Sequence, residues 1–572
     1  MYKQRILSGR TFRLLFVHPA KDKHQQLVCS SRPFDIDAAP SFEAVSYVWG
    51  SPEPAAQLLC NGQPFVVQPA LASALTRLRL QRSTRVLWAD AICINQSDIE
   101  EKNHQVPLMG QIYSLAERVA VWLGPAHSKH TRKALEVVEY IAAACVQYDR
   151  EHNRNPGHNE EWDHVHLPMD RFTLAACASL KELFERPWFR RIWCLQEIRL
   201  AREASIICGE HVITWETLSM AASWIFKKYP TFENFLSHDL VLASLAHVEV
   251  LPAYIMNDRV GTDLLTTLDG GRGFYSTDPR DKVYGIMNVV SPKSEAENIV
   301  VDYDKSVAEV YADTVLAIIR SYSRLDAFSC ITHPLKYNGD DGYRSWAPRW
   351  DSHDIATSIG HPFLGCPWDA SRSKQATLIN DNLSSDTLCL QGLLYDDVSE
   401  VGEVYHRMFP DVTSRSRGSD SPSRSNLDLL ARTVAAGRMA QQYVEELDPD
   451  TKERCYQTFA ESMLKLDRLR FSDQDNYTPD ADVEQFVAGA SLYCNQRRMF
   501  WSKNRSLGLG PQCMEVGDIV VVLYGGNTPY VLRQRGDKHL FMGQAYIDNI
   551  MHGEVVEDLH AGKMQEVMFC LI

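Results

Sequence analysis

Hydrophobic and polar positions along the chain alternate between short runs with strand character and longer stretches with helical spacing. TFRLLFV and QLVCS read as short strands, so residues 1–40 are expected to form an N-terminal β arm. FEAVSYV (42–48) is a strand stopped abruptly at Trp49-Gly50-Ser51-Pro52. QLLCNGQPFVV (57–67) places two apolar runs around Asn61-Gly62, a strong hairpin signal. Leu71, Leu75 and Leu78 share a face and predict a helix over 69–81. RVLWADAI (85–92) reads as a buried strand with Asp90 near its C-terminal end. Val106, Met109, Ile112, Tyr113 and Ala116 predict a helix over 98–116, capped by Ser97 or Asp98. RVAVWLG (118–124) is a further buried strand, closed by Gly124-Pro125. Helices follow over about 130–150 and 171–186, separated by a polar loop rich in His and Asn. SIICG and HVITW (205–215) then read as a hairpin.

Strands alternating with helices imply an α/β fold with a mostly parallel sheet flanked by helices. Ligands of such sheets bind beyond the C-terminal strand ends. That rule gathers the Tyr47–Ser51 turn, Asp90–Gln96 and Gly124 on one rim. Residues 216–390 read as a mainly helical middle region. Its glycine-rich stretch DGGRGFYSTDPRDKVYGIM follows no strand, so it does not read as a nucleotide loop. Arg280 and Asp281 are expected to pin a turn there and cap a helix starting near Lys282. Residues 391–572 read as an α+β region with a disordered loop near 412–426 and helices over 426–470 and 482–495. GDIVVVLYG, PYVLRQRG, HLFMGQAYI and VMFCLI predict a small C-terminal β subdomain.

A length of 572 residues exceeds one ordinary core and implies about two to four domains. Formal net charge is −14 and no long Lys/Arg block stands out, so nucleic acid is not an expected partner. The fourteen cysteines include no CxxC pair and fall largely within apolar runs. They read as reduced, buried thiols of a cytoplasmic protein, with no metal site. No signal peptide and no membrane span are expected, because no apolar run approaches about eighteen residues.

The stretch RRIWCLQEIRLARE (190–203) raises a chemical question. On a helix, Glu197 has Trp193 and Cys194 one turn before it and Leu200 and Ala201 one turn after. A lone carboxylate on an apolar face is costly unless it is paired or used. Two structural partners are open to it: Arg190, seven residues earlier on the same face, or a distant backbone N–H. Cys93 and Cys194 read as inert buried thiols, since no histidine lies near either in sequence.

Three blocks occur in order: FEAVSYVWGSPE, LWADAICINQSDIEEKNHQVPLMGQIYSLAERVAVWLG and RPWFRRIWCLQEIRLAREASIICGEHVITW. Together they resemble the HET (heterokaryon incompatibility) domain family of filamentous fungi, giving a HET domain over 41–215. TDPRDKVYG, VDYDKSVAEVY, SWAPRWD and the C-terminal strand segments resemble the same class of protein. The resemblance implies a role in non-self recognition, with a domain that triggers growth arrest or cell death. It also implies an incompatibility partner protein of unknown identity and a homo-oligomer on activation.

HET domains in turn resemble Toll/interleukin-receptor (TIR) domains, which are flavodoxin-like and some of which cleave NAD. The TIR catalytic glutamate lies in a W-C-x-x-E-L helix. Trp193-Cys194-Leu195-Gln196-Glu197-Ile198 has that pattern with Ile for Leu. The resemblance thus implies Glu197 as the catalytic residue and NAD as substrate, with no bound cofactor. Tyr47, Trp49, Gly50, Asp90, Asn95 and Trp193 would line the site. The alternative is a non-enzymatic scaffold that associates through the helices at 98–116 and 189–203. An enzyme needs Glu197 open to a cleft, whereas a scaffold can bury or ion-pair it.

Overall fold

The computed structural model describes residues 9–228, 263–405, 429–443 and 490–572, apart from short breaks within these spans. The loop expected near 412–426 and nearly all of the helices expected over 426–470 and 482–495 lie outside the described residues. The chain divides into two compact units, Met1–Ser306 and Val307–Ile572.

The first unit is built on a nine-stranded sheet. Its strands are β1 (Thr11–Val17), β2 (Val28–Asp35), β3 (Glu43–Tyr47), β4 (Ala56–Cys60), β5 (Gln63–Val67), β6 (Arg85–Trp88), β7 (Arg118–Trp122), β8 (Ala204–Cys208) and β9 (His211–Thr214). The spatial order is β5-β4-β2-β1-β6-β3-β7-β8-β9. Strands β6, β3, β7 and β8 run parallel. Taken in chain order they lie second, first, third, fourth, which is the flavodoxin arrangement, with its switch point between β3 and β7. The expected fold class is therefore observed.

Antiparallel strands extend this parallel core on both sides. The hairpin β4–β5 turns at Asn61 (φ 51°) and Gly62 (φ 74°), the two left-handed positions a type I′ turn requires. Residues 11–35 do not form a separate arm. Strand β1 pairs with both β2 and β6, and Phe12, Leu14, Leu15 and Val17 are fully buried. A strand this apolar needs cover on both faces, which the sheet interior supplies and a free arm does not.

At the N-terminal ends of the parallel strands, Glu43 of β3 holds Arg85 of β6 through both carboxylate oxygens, at 2.7 and 2.9 Å. Arg118 of β7 joins the same carboxylate at 2.9 Å. Three adjacent strands are thus fixed by one acid. Helix α1 (Pro69–Leu78) precedes β6, and α2 (Asp90–Cys93) and α3 (Ile99–Leu115) follow it. Asp98 caps α3 by accepting from the Glu101 N–H at 3.1 Å. Helices α4 (Ser128–Glu151) and α5 (Leu174–Phe184) link β7 to the segment carrying Glu197.

That segment is not one helix. A 3-10 turn covers Pro187–Arg190, and α6 spans only Trp193–Arg199. Between them Arg191 is extended and forms a bridge with Tyr275: Tyr275 N–H donates to Arg190 O, and Ile192 N–H donates to Tyr275 O at 3.0 Å. Pairing with a distant segment overrides the local helical spacing. Helix α7 (Trp215–Lys227), α8 (Leu264–Gly270) and α9 (Asp281–Tyr284) complete the unit, and residues 229–262 lie outside the described set. The glycine-rich turn at 271–273 directs carbonyls inward, and the buried Lys282 ammonium donates to those of Gly271, Arg272 and Phe274. Such a nest holds a cation rather than a phosphate.

The second unit opens with α10 (Val307–Tyr322). Its sheet comprises β10 (Leu388–Tyr405), β13 (Arg497–Ser502), β14 (Leu507–Pro511), β15 (Ile519–Leu523), β16 (Tyr530–Arg535), β17 (Lys538–Gln544) and β18 (Glu566–Leu571). A two-residue ladder, β11 (Arg438–Met439) with β12 (Gln442–Tyr443), stands apart. Strand β18 pairs with both β17 and β10, so β10-β15-β16-β17-β18 closes into a barrel. Leu393, Val398, Phe500, Val520, Val522, Val531 and Met542 fill its core. Closure removes two sheet edges that would otherwise expose unpaired backbone groups.

One cysteine expectation is corrected here. Cys389 and Cys570 stand opposite each other in the β10–β18 register and form a disulfide across 181 residues of sequence. Strand pairing brings them together, and no local spacing announces it. Among the described residues, no helix is long and apolar enough to cross a membrane.

Candidate functional site at the parallel strand ends

Glu197 is 2 % exposed, so it does not open onto a cleft as the enzymatic expectation required. It lies in the first unit beside the C-terminal end of β3. Ser46, the one polar residue within the buried stretch of that strand, donates its hydroxyl to Glu197 Oε2. Trp188 Nε1 donates in turn to Ser46 Oγ at 2.7 Å. Arg191 Nη1 approaches the same Oε2 at 3.4 Å. The partner is thus Arg191 rather than Arg190, because the break before α6 turns Arg191 inward and sends Arg190 over the Tyr275 ring. Burial pushes the Glu197 carboxyl above its ordinary value, Arg191 and Ser46 pull it back, and the nearby Asp90 charge raises it again.

Two phenols complete the cluster. Tyr113 from α3 is buried, and burial followed by the Glu197 and Asp90 charges pushes its pKa well up. Tyr47 ends β3, is 2 % exposed, and has a hydroxyl with no hydrogen-bond partner among the described residues. Burial, then the Asp90 carboxylate, holds its proton on. Burial opposes the Arg191 charge, but Glu197 and Asp90 outweigh that cost and raise its pKa.

The residues expected around the site separate into two groups. Trp49 joins the cluster through Asp90, donating its indole N–H to Asp90 Oδ2 at 2.8 Å, while Asp90 Oδ1 accepts from Ala91 N–H. Asp90 begins α2 and does not supply its side-chain cap. Gly50 sits on the exposed turn with φ 69°, and the space into which a side chain would project there is open. Asn95 turns away: its side chain accepts from Ser97 Oγ at 2.9 Å, and its N–H donates to Glu101. Trp193 also departs, donating to Asp281 Oδ2 at 3.1 Å, where Tyr303 OH donates to Oδ1 at 2.7 Å. Asp281 therefore anchors α6 rather than capping its own helix. Cys93 and Cys194 are buried, and burial pushes the Cys93 thiol to about 12 and the Cys194 thiol higher, which leaves neither a nucleophile at neutral pH.

Sequence reasoning missed Ser46, Tyr113, Trp188 and Arg191. Ser46 carried a usable signal, being a hydroxyl inside the apolar run FEAVSYV. The others depend on how distant elements meet. Chemically, the cluster gathers two carboxylates, Glu197 and Asp90, with one guanidinium, one hydroxyl and two neutral phenols at the switch point of a parallel sheet. Such a set can stabilise a developing positive charge and hold hydroxyl groups once access is provided.

The family model "Heterokaryon incompatibility protein (HET)" matches residues 42–197, so its last matched position is Glu197. The model "Het-6 beta-barrel domain" matches residues 434–564, within the second unit. Heterokaryon incompatibility protein 6, OR allele, of Neurospora crassa is 26% identical, with 95% of this chain and 94% of that protein covered. No solved structure gives a significant match. A HET match over the flavodoxin-ordered sheet, a Het-6 barrel match in the second unit and a relative similar over nearly its whole length make this chain similar to the heterokaryon incompatibility (HET) proteins.

Proposed function

We propose that the chain is a fungal non-self recognition protein whose HET domain triggers growth arrest or cell death by cleaving NAD at Glu197. The relative's name supports the recognition role. The observation that carries the chemistry is a buried carboxylate, incompletely compensated, at the β3–β7 switch point, in a W-C-x-x-E helix start. In the reaction, the bond between the ribose and the nicotinamide nitrogen breaks and nicotinamide leaves with the electron pair. Glu197 stabilises the oxocarbenium-like ribose, and water adds to give ADP-ribose and a proton. Ser46 and Trp188 orient the carboxylate. The described conformation is closed, so activity requires the covering residues to move, and association of HET domains on activation is the proposed trigger. The setting is the cytoplasm.

A second reading has its own support. Glu197 is sealed and contacts Arg191, as a non-enzymatic module that signals through association would allow. The test is nicotinamide release from NAD by the purified full-length chain at high concentration with a crowding agent. Release that is lost in a folded Glu197→Gln variant supports cleavage. Absence of release under every assembly condition favours the scaffold.

A further inference from the structure

The barrel of the second unit is sealed by β18, and packing alone holds that strand lightly. Only Phe569 and Leu571 of its residues are buried, whereas Glu566, Val567 and Met568 are exposed. On one side β18 meets β17 at a single pair, His539 with Leu571, beside a bond from Ile572 N–H to the His539 carbonyl at 3.0 Å. On the other side it runs along β10 from Leu388–Leu571 to Leu393–Glu566. Glu566 accepts from Gln391, Tyr524 and Lys374 at the open end of the strand, where polar ties add little. Just past β18, the Ile572 carbonyl accepts from the Ser345 N–H at 3.0 Å.

The remaining tie is covalent. Side chains alternate between the faces of a strand. Leu388, Leu390, Phe569 and Leu571 turn to the buried face, so Cys389 and Cys570 share the opposite one, where both are half-buried. Their disulfide ties β18 to β10 and closes 181 residues of sequence, a loop long enough for the bond to restrain the strand strongly. The other cysteines differ. Eleven described cysteines are free thiols, and all of them except Cys366 are buried. In the same unit, burial pushes the Cys494 and Cys513 thiols to about 12. Such thiols are poor partners for exchange.

We propose that the Cys389–Cys570 disulfide is a reversible redox latch on β18, opened in the folded chain by a dithiol reductant and closed again by a disulfide oxidant. In the cytoplasmic setting proposed above, on which the use of the latch rests, disulfides are made and broken rather than permanent. In opening, a thiolate of the reductant attacks one sulfur of the pair. The S–S bond breaks, leaving a mixed disulfide and one cysteine thiolate, which takes up a proton. The second thiolate of the reductant then displaces the other cysteine. The pair gains two electrons and two protons, and the reductant becomes a cyclic disulfide. Glutathione disulfide reverses the change and leaves as two glutathione thiols. Without the bond, β18 detaches more often and bares backbone groups of β10 and β17.

The test treats the full-length chain, under native conditions, with dithiothreitol. Thiols are trapped with iodoacetamide and located by peptide mass, while hydrogen exchange follows the β18 amides. Dithiothreitol should free Cys389 and Cys570 while Cys494 and Cys513 stay protected. Exchange in β18 should then quicken at least about ten-fold. Exchange in β15 and β16 should hold, and glutathione disulfide should restore the slow rate. The double variant Cys389→Ser, Cys570→Ser should exchange fast from the start and ignore dithiothreitol. A bond that survives until Cys494 and Cys513 also react overturns the proposal, as do two thiols that glutathione disulfide cannot join. Reduction that leaves β18 exchange unchanged, or quickens β15 and β16 equally, overturns it too. So does a folded double variant in which dithiothreitol still quickens β18. No readout involves NAD, so failure here leaves cleavage at Glu197 untouched.

Discussion

Two carboxylates of the first unit, Glu101 and Glu197, are buried to the same extent at 2 % exposure, yet they are held very differently. Glu101 uses both oxygens. Arg13 donates to it in a bidentate fork, with Nη2 at 3.0 Å from Oε2, and Asn95 N–H adds a bond to Oε1 at 2.7 Å. Arg13 also reaches the Cys93 carbonyl at 3.1 Å. Glu197 takes its Ser46 and Arg191 contacts on one oxygen, the arginine at 3.4 Å, and burial still pushes its carboxyl above the ordinary value although Arg191, Ser46 and the Tyr113 phenol all favour its charged form. An acid kept for architecture looks like Glu101: fully bonded and tied across three elements. An acid kept at a cost, at a strand-end switch point beside a buried phenol, has the marks of a working group.

The comparison predicts unequal responses to mutation. Glu101→Ala removes the carboxylate that the buried Arg13 charge grips in its fork, and should cost about 3–5 kcal/mol in urea unfolding. Glu197→Ala removes an acceptor from Ser46 and the counter-charge of Arg191, although Asp90 remains near that arginine. Its cost should be smaller, about 1–3 kcal/mol. A larger loss at 197 than at 101 would reverse the assignment of roles. Tyr47→Phe deletes a hydroxyl that has no partner among the described residues, and unfolding should stay within about 1 kcal/mol of wild type. A large loss there would show that the phenol holds the fold together.

The pH dependence sharpens the contrast further. The folded chain raises the Glu197 carboxyl above its ordinary value of 4.5, so folding favours the protonated form. That contribution to stability is fully present below pH 4.5 and is lost as pH rises through the raised folded value. Glu197→Gln cannot titrate. Its stability relative to wild type should therefore improve with rising pH across that window and then level off. A pH series of urea midpoints reads this directly, and a difference that falls with pH would contradict the sign.

Much of this fold was legible because its signals are local. Asn61-Gly62 specified the hairpin, the apolar runs specified β3, β6 and β7, and their alternation with helices specified a parallel core. The HET blocks specified the family resemblance. What stayed hidden depends on meetings between distant segments. TFRLLFV could not reveal that it enters the sheet beside β6. Nothing in RRIWCLQEIRLARE announces that Tyr275 interrupts the helix, and that interruption is what replaces Arg190 with Arg191. Trp193 looked like part of the Glu197 face until Asp281 claimed it. Cys389 and Cys570 meet only through the barrel seam.

The most direct test of Glu197 as an acid retained at a cost is the unfolding free energy of Glu197→Gln against wild type at pH 7. The amide keeps the shape and the acceptor for Ser46 while removing only the buried charge. The variant should be at least as stable as the wild type. A loss of about 3 kcal/mol or more, equal to that of breaking the Glu101 pair, would show instead that the carboxylate is a structural pin.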